Sequence, residues 1–442
     1  DGALSAWSRL GNAGTVDTVN FIGTTDNVPF NIRVNNLRAG RIESANSQTT
    51  FFGYQAGNSG VQYMGTGFGY QALFSSTGDF NSALGYQALY SNTTGSYNTA
   101  VGNKALLANT TSNYNTALGY WALYSNTTGS SNTALGTEAL SYNKKSSNNT
   151  ALGISTLYHH ITGSGNVAVG EKALYSDTSG YNNTSVGYYS LLHNVTGYEN
   201  TALGNQSLFS DTTGHGNTAI GNKTLIYNVT GSENTAIGNN AGTGNTGVNF
   251  NQCTFVGSNS FPLVARTNVS MFGYGIVNAQ CTADNQILLG NTAITSIRAQ
   301  VSGLTSYSDA RYKTNIKENV SGLDFIMKLK PVTYNVKPEN LHKIWGTDES
   351  LLKRIDFSSI EKETFIGFLA QDVEKAAKES GFNFPGIDVP KNDKEVYALR
   401  YVDFIMPMVK GMQEQQVIIE NQNKKIDDLQ KQIDELKALI KK

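Results

Sequence analysis

The chain has 442 residues, 39% of them hydrophobic and 15% charged, with a formal net charge of -1. So neutral a balance gives no electrostatic reason to expect a nucleic-acid or anionic-membrane partner. No run of 18 apolar residues occurs, so no membrane-spanning helix is expected, and the length allows two or more domains.

The sequence opens at Asp1 without a methionine or a signal segment, which reads as a processed product or a fragment of something longer. Residues 1–50 hold short apolar runs such as Val19-Asn20-Phe21-Ile22 between glycines. Phe30-Asn31-Ile32-Arg33-Val34 alternates apolar and polar residues, as a half-buried strand does. A β-rich cap is expected here, because the ends of stacked repeats need covering.

Residues 51–240 are organised by repetition. Irregular units at Phe52-Gly53-Tyr54-Gln55-Ala56 and Phe68-Gly69-Tyr70-Gln71-Ala72 come first, spaced 16. A five-residue word of the form Asn115-Thr116-Ala117-Leu118-Gly119 then recurs, its Asn standing at 81, 98, 115, 132, 149, 166, 183, 200, 217 and 234. Every step is 17 residues. Four residues after each Gly stands a Leu, from Leu89 to Leu225, and a second Gly closes most units, with Ser112 and Ser146 replacing it twice.

A fixed short period identifies a stacked repeat protein. Seventeen residues are too few for a helical pair, and Gly and Asn disfavour helix interiors. The unit suits one coil of a β-solenoid, with two short strands and two turns. The Ala and the aliphatic of each word, and the following Leu, are expected to point inward. Asn, Gly, Ser and Thr are expected at the corners, where positive φ or side-chain-to-backbone bonds are needed.

Residues 241–305 carry eroded words at Thr254-Phe255-Val256-Gly257 and Ser270-Met271-Phe272-Gly273, and a further strand at Ile287-Leu288-Leu289. Beyond them the composition changes. Residues 1–305 hold 11 Lys+Arg and 12 Asp+Glu; the remaining 137 residues hold 22 and 22. That shift places a domain boundary near residue 305. Val332 to Val336 reads as a strand, and Gly367 to Glu374 leads from a strand into a helix reaching Lys378. A second helix starts in the Tyr401 to Pro407 stretch and runs to the C-terminus, with Pro407 in its first turn or at a kink. Ile419, Ile426, Ile433 and Ile440 are spaced by seven with Leu429 and Leu436 between them, a coiled-coil pattern whose Ile/Leu usage by itself favours two strands.

The one stretch with reactive chemistry is Ser308-Asp309-Ala310-Arg311-Tyr312-Lys313. A Lys amine can serve as base to a Ser hydroxyl when burial lowers its pKa, and the hydroxyl can then attack a carbonyl. Alone, a Ser and a Lys five apart mark a polar turn more often than a site.

Residues 306–442 resemble the C-terminal intramolecular chaperone of phage tail fibres and tailspikes, the endosialidase type. The resemblance rests on the Ser-Asp-x-Arg-x-Lys start, the Leu323 to Tyr334 pattern, Gly367 to Val373, the Tyr401 to Gly411 stretch and the terminal heptads. The stretch around Leu341 to Phe357 departs from its shortest members. The resemblance implies a domain that trimerises, guides folding of an upstream β-rich fibre and cuts itself off. It implies Ser308 as nucleophile, Lys313 as general base and Tyr307–Ser308 as the scissile bond. Asp309 and Arg311 match the motif without a defined role, and structural ion pairing accounts for them equally well. The 17-residue words resemble, more loosely, the head repeats of trimeric autotransporter adhesins. Both resemblances imply a homotrimer, which overrides the dimer preference of the heptads.

Other candidates have plainer readings. Asn-x-Ser/Thr triplets at Asn92, Asn109, Asn126, Asn194 and Asn228 match glycan acceptors, but the repeat itself demands those residues. Tyr90, Tyr124, Tyr158, Tyr175 and Phe209 would suit sugar stacking, yet their place after the repeat Leu favours packing between coils or chains. The histidines show no ligand spacing, so no metal and no cofactor is expected. Cys253 and Cys281 are either one disulfide or two buried thiols.

The expected protein is mainly β: a cap (1–50), a trimeric β-solenoid or β-roll shaft (51–240), an irregular end of shaft (241–305), a small α+β chaperone and auto-processing domain (306–411) and a coiled coil (412–442). Its expected work is attachment to a host or target cell-surface glycan or protein, as a virion tail fibre or an extracellular fibre, without nucleic acid or membrane insertion. Any enzyme activity is at most single-turnover self-cleavage. A bacterial surface or secreted adhesin carrying the same chaperone is the alternative.

Overall fold

The computed structural model describes residues 22–43, 47–58, 63–276, 281, 283–294, 297, 308–346, 352, 355–393 and 395–440. The chain forms two compact units, Asp1–Leu289 and Gly290–Lys442.

The first unit is a β-solenoid built on a 17-stranded sheet. Two of those strands form a hairpin, Phe30–Val34 with Leu37–Ile42, turning at Asn35 and Asn36 with φ of 46° and 57°. Both central residues at positive φ give the turn whose twist suits a hairpin, and Asn tolerates that backbone. Leu37–Ile42 pairs antiparallel with Thr50–Phe52, the strand of the first coil, and so covers its edge. From there each coil adds one three-residue strand in parallel register with the last. Thr116–Leu118 pairs with Thr133–Leu135 residue for residue, a register of 17. Parallel pairing sets a rise of about 4.8 Å per coil. The period loosens as expected toward the end, where Thr254–Val256, Ser270–Phe272 and Ile287–Leu289 continue the same sheet.

Two expectations about the coil are corrected. Each regular coil carries one strand, not two, and its aliphatic residue points outward. In Thr116–Leu118 the burial pattern is out, in, out, and Leu118 is 46% exposed. The reason is the alternation of side chains along a strand: three residues leave only the middle one facing in, and that one is Ala. The dry core of a coil is therefore two alanines and one leucine, such as Ala117, Ala122 and Leu123. Burying each Leu contributes about 2 kcal/mol.

The word's Asn makes the side-chain-to-backbone bonds expected of it, and makes them inside the coil. Every one from Asn81 to Asn234 is fully buried. The N–H of Asn115 donates to Asn98 Oδ1 at 3.0 Å, and its Nδ2 donates to the same oxygen at 3.3 Å and to the Gly129 carbonyl at 2.9 Å. A side chain with an acceptor toward one neighbour and donors toward the other can repeat indefinitely; only an amide of this length meets that need. A second buried polar column runs through Asn92, Asn109, Asn126 and Asn143, joined by bonds of 2.8–3.0 Å. It continues through His160, Asp177, Asn194, Asp211 and Asn228, all fully buried. The triplet asparagines on this column thus face the interior, as the repeat reading required.

Positive φ also falls on unexpected residues. Leu123 (φ 51°) and Trp121 (φ 58°) are left-handed, as are their equivalents along the array. Their turn amides pair from coil to coil, Leu123 N–H to the Ala139 carbonyl at 3.0 Å for example, and this holds the backbone in place. Gly119 shows why its column admits no side chain: φ is 144°, and a Cβ would sit 2.3 Å from the Gly136 carbonyl oxygen. The aromatics after the repeat Leu pack between coils, with Tyr158 stacked on Tyr175 at 5.2 Å and Phe74 on Tyr90 at 5.0 Å. Cys253 and Cys281 are buried free thiols, and burial pushes both upward in pKa.

The second unit is α+β. Helices α1 (Leu323–Ile326), α2 (Pro338–Trp345) and α3 (Ala370–Glu379) accompany two small antiparallel pairs, Val332–Tyr334 with Phe365–Gly367 and Ile387–Asp388 with Ala398–Leu399. Its core gathers Phe325, Val373, Ala376, Ala377, Phe384 and Phe404. A 3-10 turn at Tyr401–Phe404 opens helix α4, Ile405–Ile440. Pro407 lies in the first turn of α4, where its missing N–H would have had no intrahelical partner. The heptad residues Ile419, Ile426, Leu429, Ile433, Leu436 and Ile440 are all exposed on this helix.

Asn132→Ala would strand the Asn149 N–H, which Asn132 Oδ1 satisfies at 3.0 Å, and would remove the Nδ2 bonds to Asn115 Oδ1 and the Ser146 carbonyl at 3.3 and 2.8 Å, each of which keeps one other donor. The expected loss is roughly 3 kcal/mol or more, against less than about 0.5 kcal/mol for the outward Thr133→Ala. Denaturant midpoints of the two variants check this; equal midpoints would remove the column from the account of stability.

Candidate functional site

Lys313 stands five positions after Ser308, and a single 3-10 turn, Ala310–Tyr312, closes that distance. Asp309 caps the turn: its Oδ1 accepts from the Arg311 N–H at 2.8 Å. The Arg311 guanidinium folds back on the same carboxylate, Nε at 2.9 Å and Nη2 at 2.6 Å from Oδ2. This pair holds the Asp309 carboxyl below the usual carboxylate range and raises Arg311. With the turn fixed, Lys313 Nζ donates to Ser308 Oγ at 2.6 Å. The structure therefore brings Ser308 and Lys313 together, and turns Asp309 and Arg311 onto each other. Tyr307 lies outside the described residues.

All six residues from Ser308 to Lys313 are exposed. The geometry thus places a hydroxyl and an amine in contact, within a turn locked by an ion pair, on an open surface. Arg311 is compensated by Asp309, so within this turn it is not an unopposed cation beside Lys313.

Sequence reasoning missed the contacts that fix α4 to the rest of the unit. Glu414 of α4 accepts from the Leu323 N–H at 2.7 Å, satisfying one of the unpaired amides at the start of α1. Gly322 and Gly411 permit this approach, since a Cβ on Gly322 would lie 2.7 Å from the Gly411 nitrogen. Tyr401 Oη accepts from the Phe368 N–H at 3.0 Å, tying the 3-10 turn to the end of the strand Phe365–Gly367. Glu414 and Leu323 are 91 residues apart, and nothing local in the sequence announces their pairing. His342 is buried between Trp345 and Phe357, bonds Thr292 Oγ1 at 2.9 Å, and has its pKa lowered by burial. Among the described residues, no group of three His, Cys, Asp or Glu is placed to hold a metal ion. No described helix is long and apolar enough to cross a membrane.

Residues 308–382 match the family model described as chaperone of endosialidase, and the match begins at Ser308. It covers the 3-10 turn, the helices α1, α2 and α3 and the strand pair Val332–Tyr334 with Phe365–Gly367. No curated protein and no solved structure matches the chain.

Glu414→Ala would leave the Leu323 amide unpaired in a partly buried place, with an expected loss of about 1 kcal/mol. Unfolding of the second unit, followed by near-ultraviolet circular dichroism, checks this. Glu414→Gln should retain most of the lost stability, because its amide oxygen still accepts.

Proposed function

We propose that the chain is one subunit of a trimeric fibre for cell-surface attachment, of the phage tail-fibre kind. Its C-terminal part assists folding of the solenoid and then cuts itself free. The carrying observation is the match to the endosialidase-chaperone family at 308–382, directly after a solenoid of 17-residue coils. On this reading the protein works on the virion or otherwise outside the cell, and residues 412–442 wind as a coiled coil. The exposed heptad residues of α4 support an assembly of several chains, since a lone helix would leave them in water.

Cleavage requires Lys313 to be neutral. In the single chain its amine is exposed, and contact with neighbouring subunits would bury it and lower its pKa. The neutral amine takes the proton of Ser308 Oγ. The oxygen attacks the carbonyl carbon of Tyr307, and the peptide C–N bond breaks as Lys313 returns the proton to the departing Ser308 nitrogen. Water then hydrolyses the ester, releasing the Tyr307 carboxylate and restoring the Ser308 hydroxyl. One water is consumed, and the turn is used once.

Light scattering of the purified protein should give three times the mass of one chain, and removal of residues 412–442 should reduce the yield of soluble trimer. A monomer of the full chain would end the assembly reading. Denaturing electrophoresis should show two pieces meeting at Tyr307–Ser308, and Ser308→Ala or Lys313→Ala should leave one full-length band in a folded trimer. Normal cutting by Ser308→Ala would remove the dyad. A wild-type trimer that stays whole would leave a chaperone without protease activity.

A further inference from the structure

The second polar column of the solenoid is a chain of donors and acceptors. At the amide rungs from Asn92 to Asn194, Nδ2 of one coil donates to the side-chain oxygen of the coil before, whereas Asn228 Nδ2 donates to the Gly231 carbonyl at 2.9 Å. The bonds run Asn109 to Asn92 at 2.8 Å, Asn126 to Asn109 at 2.9 Å and Asn194 to Asp177 at 2.9 Å. The next rung is Asp211, 17 residues after Asn194, and a carboxylate has no N–H to give. Its Oδ1 accepts from the Gly214 N–H at 3.1 Å. Its Oδ2 is buried without a partner, and so is Asn194 Oδ1. Two fully buried residues on successive rungs therefore each present an unmatched acceptor, which destabilises the fold if left so.

We infer that Asp211 is a neutral carboxylic acid in the folded solenoid, its Oδ2–H donating to Asn194 Oδ1, so that this rung is a built-in proton-binding site. A single proton satisfies both oxygens and restores the direction of the column. The surroundings agree. The adjacent rungs Asn194 and Asn228 and the Gly214 amide carry no charge. Along the same column Asp177 lies two rungs away and His160 three. His215, in the same turn, stacks on Tyr198 at 4.8 Å and bonds Ser232 at 2.9 Å. Burial raises the Asp211 carboxyl from 3.8 to about 8, with the Gly214 amide pulling weakly the other way.

Asp177 shows what a partnered rung looks like. Its Oδ2 meets His160 Nδ1 at 2.8 Å, and its Oδ1 accepts from the Gly180 N–H and from Asn194 Nδ2, both at 2.9 Å. His160 Nε2 faces the Gly163 carbonyl at 2.8 Å, and Nδ1 faces Oδ2. There the carboxyl has a ring nitrogen as its partner in the column; at Asp211 no such partner is present, and the acid keeps its proton.

The sign of the pH effect follows. Below pH 3.8 the folded and unfolded forms both hold the proton; between 3.8 and about 8 only the folded form does. Stability from this rung is complete at the acid end, falls as pH rises through that window and is level above it. Asp211→Asn places an N–H where the O–H stood and removes the titration. Thermal midpoints of wild type and Asp211→Asn are measured from pH 5 to pH 9. The variant should gain on wild type as pH rises, the folded-to-unfolded ratio shifting by up to about tenfold per unit. In parallel, the infrared C=O band of protonated carboxyl at pH 7 should lose one group's intensity in the variant, which separates Asp211 from Asp177. A stability difference that is constant with pH, or an unchanged band, overturns the inference. So does a rung that responds to sodium or potassium concentration instead of pH. If Asp211→Asn fails to fold, loss of the wild-type band between pH 7 and pH 9 still decides it.

Discussion

Everything in the solenoid depends on one exchange: the side-chain amide of an interior Asn bonding to the same residue one coil away. A narrow coil cannot bury enough hydrocarbon to hold itself closed, because its strand offers a single inward position and in most regular coils that position is Ala. The amide columns supply what the core lacks. They pair the backbone groups that the turns leave over, as where Asn115 reaches the Gly129 carbonyl, and they do so out of water, where an unmade bond is costly. Backbone bonds between coils, such as Leu123 N–H to the Ala139 carbonyl, hold Leu and Trp in left-handed backbone that those residues rarely adopt.

Much of this was legible in the sequence. The period located each strand of the regular array, because the three residues after the word's Asn form it in every copy, as Thr116–Leu118 and Thr133–Leu135 do, and a strict spacing of 17 admits only one coil per copy. The orientation was not legible. By hydropathy Leu118 belongs inside and Asn115 outside, and both are reversed. Hydropathy prices a residue alone, whereas an Asn whose partner is the next Asn loses little on burial. The information lies in the repetition, not in the residue. In the second unit the proximity of Ser308 and Lys313 was readable, since one 3-10 turn spans that interval. The Glu414 bond to Leu323 was not, since no local pattern joins residues 91 apart.

The two units use their long elements in opposite ways. In the solenoid nearly all specificity is internal, with each coil addressed to its neighbours. In the second unit, α4 is anchored by its first turns, through Glu414, Gly411 and the Tyr401 turn, and presents its remaining apolar residues outward. The base of α4 is thus anchored and its continuation bare, and the open Ser308 turn belongs to the same unit.

The in-register columns also bear on how such a gene can change. A copy whose bonds are all made to an identical copy can be duplicated or lost whole without altering any remaining contact. Unequal recombination between repeats would therefore lengthen or shorten the solenoid in steps of about 4.8 Å, leaving both ends untouched. A deletion of part of a copy has no such freedom: it brings Thr or Leu to the place of Asn and breaks two columns at once. Selection on reach can thus act through copy number alone, and near-identical units such as those around Asn115 and Asn132 are its raw material.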